Sequence, residues 1–152
     1  MKKIAVIGNR HDTEISDLLQ KLLIQNNCHF LIGGVFSFKT SGHDIEGLDF
    51  LVLDAASPKV LSEFPVDLMV FKKDIGANCF KGCEDIARPP IAVIDPQASD
   101  AVNWLKGKET TVITCGLSAQ NTVTYSSLSE EKPCITLLRK LSRADGSILE
   151  PQ

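Results

Sequence analysis

Apolar residues along this chain gather in short, nearly continuous runs, separated by polar stretches of which only a few carry helical spacing. Residues 3–7 (KIAVI) read as a first strand. Ile15, Leu18, Leu19, Leu22 and Leu23 then recur at i, i+3, i+4, i+7 and i+8, which predicts a helix with one apolar face, ended by Asn26 and Asn27. FLIGGVFSF (30–38) predicts a second strand, weakened or bulged at Gly33 and Gly34. TSGHDIEG after it is a turn-rich loop. LDFLVLDA (48–55) and VDLMVFKK (66–73) are continuous apolar runs, as expected of strands buried on both faces. Between them, 58–64 holds a short helix at most. IAVID (91–95) and TTVITCG (110–116) give two more strands, and 98–106 gives a helix with Ala98, Ala101, Val102 and Leu105 on one side.

Beyond residue 116 the texture changes. NTVTYSSLS, PCITLLRKL and GSILEP are β-type segments with no helix between them, and RADG is a hairpin turn signal. The expected fold is therefore one α/β domain over 1–152. It has a mainly parallel sheet of about six strands with helices on both faces, closed by a small antiparallel β piece over 122–150.

Composition narrows the function classes. A length of 152 residues suffices for one real core, and 43% hydrophobic with 23% charged residues is an ordinary globular balance. The formal charge of -3 and the lack of a basic cluster with interleaved aromatics argue against a nucleic-acid partner. No apolar run is long enough for a membrane span, and MKKIAVIGN lacks the long apolar segment and cleavage site of a signal peptide. The five cysteines (Cys28, Cys79, Cys83, Cys115, Cys134) are odd in number and irregularly spaced, which suits reduced thiols and a cytoplasmic location. CFKGC is the one close pair; without a second pair or nearby histidines it is expected to be two ordinary thiols, and no metal is expected.

The junction IAVIGNRHDTEISDLLQKLL carries the sharpest chemical question, because a strand, a glycine turn and a helix start are where proteins hold phosphates. A phosphate loop needs glycines to wrap the anion and a lysine to pair with it. After Gly8 this turn offers Asn9, Arg10, His11, Asp12 and Thr13, with no second glycine and no lysine. Asp12 is placed to cap the helix with its own carboxylate. A carboxylate about 5 Å from a phosphate charge costs roughly 3 kcal/mol at an effective dielectric near 20. Glu14 and Asp17 push the same way.

With these segments in order, the chain resembles the central, ATP-binding domain of the Mur ligases. IAVIGNRHDTEISDLLQKLL lies where that family has a strand, a G-T-N-G-K-[TS]-[TS] loop and a helix; LDFLVLDAAS resembles its strand ending in E-x-S-S. PVDLMVFKKDIG resembles the P-D-x-A-V-x-T-N-x strand, PPIAVIDPQ the V-x-N-x-D-D-P strand, and TTVITCGLSAQNTVTYSSL the V-I-T-F-G segment with its β-rich closure. The departures are systematic. The family's loop lysine falls on Asp12 and its second glycine on His11, so only Gly8 and Thr13 persist. The metal-binding glutamate falls on Asp54, the T-N pair on Lys72 and Lys73, and the adenine-side motif reduces to Asp95. The D-H signature and the helix with the modified lysine are absent.

Strands that match around turns that do not imply a Mur-ligase-like module with a ruined phosphate loop, because phosphoryl transfer depends on the lysine and Mg²⁺ that such a loop holds. No catalytic residue and no cofactor is expected. Gly8, Asn9, Arg10, His11, Asp12, Thr13, Asp54, Lys72, Lys73 and Asp95 remain as a degenerate cleft and candidate ligand site. The alternative is a small nucleotide- or phosphometabolite-binding enzyme or sensor with a rebuilt cleft. A protein partner or a homo-oligomer is expected, through apolar surface for which Phe36, Phe38, Phe64, Phe71 and Phe80 are candidates.

Overall fold

The computed structural model describes residues 1–34, 37–40, 47–127, 134–143 and 145–152. The chain runs β1 (Lys2–Ile7), α1 (Glu14–Gln25), β2 (Phe30–Gly34), β3 (Ser37–Thr40), β4 (Phe50–Ala55), a 3-10 turn (Pro58–Ser62) and β5 (Leu68–Phe71). A second 3-10 turn (Ala77–Phe80), β6 (Ile91–Ile94), α2 (Ser99–Leu105), β7 (Thr111–Gly116), β8 (Val123–Ser127), β9 (Cys134–Leu137), β10 (Leu141–Ser142) and β11 (Ile148–Leu149) follow. The main sheet has the order β3-β2-β4-β1-β5-β6-β7-β8-β9, parallel from β2 to β8 and antiparallel at both margins. β10 and β11 form a separate antiparallel hairpin.

β1 is central because both its faces are apolar. Ile4 and Val6 join α1 residues Ile15, Leu19 and Leu23 on one side; Ala5 and Ile7 join Met69, Phe71, Phe80, Trp104 and Leu105 on the other. The crossover from β1 to β2 steps one way along the sheet, and those linking β4, β5, β6 and β7 step the opposite way. Since parallel crossovers keep one hand, α1 lies alone on its face, while both 3-10 turns and α2 cover the other. No long helix spans 81–90. There Arg88 stacks on Trp104 at 3.7 Å and donates to the carbonyls of Trp104 (3.0 Å), Cys83 (3.3 Å) and Ile86, holding the segment by side-chain bonds.

The expected α/β architecture with helices on both faces is present. Several details differ. The run 30–38 is not one bulged strand: β2 ends at Gly34 and β3 turns back to pair with it antiparallel, Gly33 opposite Phe38. Within 122–150, β8 extends the parallel sheet by pairing with β7, so the separate piece is the smaller β10–β11 hairpin. Arg143 and Gly146 of the RADG signal sit at its turn, where Gly146 adopts φ +83°, and Ala144 lies outside the described residues. The apolar face of α1 is narrower than its sequence pattern, with Leu18 and Leu22 exposed, because Ser16 is turned inward instead. Phe71 and Phe80 are core residues and Phe64 packs against the same core, so they form no surface patch. Phe36, His43 and most of the 40–47 loop lie outside the described residues, and the side chain of Phe38 is likewise not described.

Candidate functional site

Leu68 and Val70 of β5 point to the α1 face, and one step further the alternation sends Lys72 the same way, under the first loop. Its backbone continues the ladder, donating to the Ile7 carbonyl at 2.9 Å. The side chain is fully buried, and Nζ donates to the carbonyls of Asn9 (2.9 Å) and Asp12 (2.6 Å) and to Asp54 Oδ1 (2.7 Å). An ammonium group has three protons, and all three are taken. The other Asp54 oxygen accepts from the buried Ser16 Oγ at 2.5 Å. One buried cation thus ties together β5, the end of β4, the loop and α1. Gly8 must be a glycine here: its φ is +151°, and a Cβ would lie 2.7 Å from the Lys72 Cβ.

The loop's amides also have protein acceptors. His11 N donates to Asn9 Oδ1 (3.0 Å), Asp12 N to the Asn9 carbonyl (3.1 Å) and Glu14 N to Asp12 Oδ1 (3.1 Å). Asp12 therefore caps the start of α1, from one position outside Thr13, which occupies the N-cap itself. The Thr13 hydroxyl donates to Asp17 Oδ2 at 2.8 Å.

The remaining candidates separate. Gly8, Asn9, Arg10 and His11 line a cavity of about 400 Å³ together with Ala56, Asp74, Ile75, Gly76, Asn78 and Cys79. Lys73, turned outward where Lys72 turns inward, lines a second cavity of about 210 Å³ with Asp95, Gln97 and Ala98; Asp74 and Ile75 border both. Asp95 Oδ1 accepts from Gln97 N at 2.9 Å. Nine of the ten candidates thus divide between a buried lysine cluster and two shallow clefts, and Thr13 belongs to neither, bonding Asp17 instead. Ser16 was not foreseen as a member of the cluster. Its signal was a hydroxyl on the inward side of α1, among residues of an otherwise apolar face.

In the larger cavity, Cys79 donates to the Ala56 carbonyl at 3.1 Å. Burial, and secondarily the neighbouring Cys83, push its thiol up to about 11. Cys83 is fully buried with Sγ 3.4 Å from Ser57 Oγ. Burial, reinforced by Asp95, also raises the Cys115 thiol. Cys79 and Cys115 are thereby held as thiols rather than as nucleophilic thiolates. Among the described residues no three His, Cys, Asp or Glu side chains stand together as metal ligands.

No family model matches the chain, and no curated protein matches it in sequence. Among solved structures, a UDP-N-acetylmuramoyl-L-alanyl-D-glutamate–2,6-diaminopimelate ligase superposes with a TM-score of 0.65 at 16% identity, over 99% of this chain. The fold is Mur-ligase-like. The chain spans about two fifths of that ligase, 39% of its length. Among the described residues no helix is long and apolar enough to cross a membrane.

Proposed function

We propose that this chain is a non-catalytic binding or regulatory module on a Mur-ligase-like fold, with a phosphate loop filled by its own lysine. The observation that carries this reading is Lys72: its Nζ is bonded to two loop carbonyls and to Asp54, the position that resembles the family's metal-binding glutamate. A cation supplied by the protein sits where bound nucleotide would need a cation of its own. It has no proton left to offer a phosphate. Asp12 adds negative charge at the helix start and takes one of the amides that an anion would use. The module would act in the cytoplasm, by binding a protein partner, a second copy or a small ligand. The name of the similar ligase suggests cell-wall precursor metabolism as its setting.

Calorimetry with Mg-ATP tests the reading. No heat of binding is expected at millimolar nucleotide, and a micromolar dissociation constant would overturn it. A second reading, a small nucleotide or phosphometabolite sensor, is favoured by the cavity of about 400 Å³ that carries Arg10 and His11 on its wall. A thermal shift with a sugar phosphate or nucleotide, abolished by Arg10→Ala, would support that reading over the first.

A further inference from the structure

We draw no further inference here: the strongest candidate, the cavity of about 400 Å³ at the carboxyl ends of β1, β4 and β5, belongs to the candidate site already described, and its charged and polar side chains Arg10, His11, Asp74 and Asn78 are all exposed, with nothing in the structure to show what fills it.

Discussion

Lys72 is the residue on which both the loop's shape and its chemistry depend. Replacing it with methionine keeps much of the volume but leaves Asp54 buried beside Ser16 without its cation, and two loop carbonyls without a donor. Removing one partner of such a pair costs about 3–5 kcal/mol. Lys72→Met should lower the stability by that amount in urea unfolding. Asp54→Asn should cost less, and the double variant clearly less than the sum, since the two changes remove one shared interaction. A fully additive cycle would show that the pair is not coupled. Gly8→Ala is expected to cost about 2–4 kcal/mol, combining left-handed backbone strain with a Cβ forced against Lys72. This cluster was only half legible in the sequence. The resemblance put Asp54 and the Lys72–Lys73 pair near the loop, but not which lysine turns inward. The alternation of Leu68 and Val70 settles that, and only once the α1 face is known. Ser16 carried no motif at all.

At the scale of elements, continuous apolar runs gave β4 and β5 because both faces of these strands pack against apolar neighbours; β6 has the same kind of run although only Ala92 and Ile94 are fully buried. The hairpin of β2 and β3 was read as one strand because FLIGGVFSF keeps its apolar character through the reversal. The 77–88 segment is organised by elements that periodicity does not report: a 3-10 turn, the Arg88 stack and the two thiols. It carries a pH signature. The Cys79 thiol is raised in the folded chain from 9.0 to about 11, so the folded state keeps its proton where the unfolded state loses it. Stability is fully present below pH 9 and falls as pH rises toward 11. Two pKa units correspond to almost 3 kcal/mol, and allowance for half-burial leaves about 1–2 kcal/mol. The urea midpoint should therefore drop between pH 8.5 and 10.5 by more in the native chain than in Cys79→Ala. An equal drop in both would place the pH dependence elsewhere.

The whole molecule is stabilised unevenly, and hydrogen exchange should display the gradient. β1 is flanked by β4 and β5 and covered on both faces, so its amides open only with the entire core. β10 and β11 are two residues each and form a hairpin apart from the main sheet, with Leu149 half-buried and Ile148 exposed. A two-stranded ribbon of that size has little stability of its own. The amides of β10 and β11 should exchange first and those of β1, β4 and β5 last, near the global unfolding limit. β8 and β9 pair at the sheet margin, with Tyr125 and Ile135 exposed, and should exchange between these extremes. Protection in β10 and β11 equal to that of β1 would show instead that the hairpin opens only together with the core.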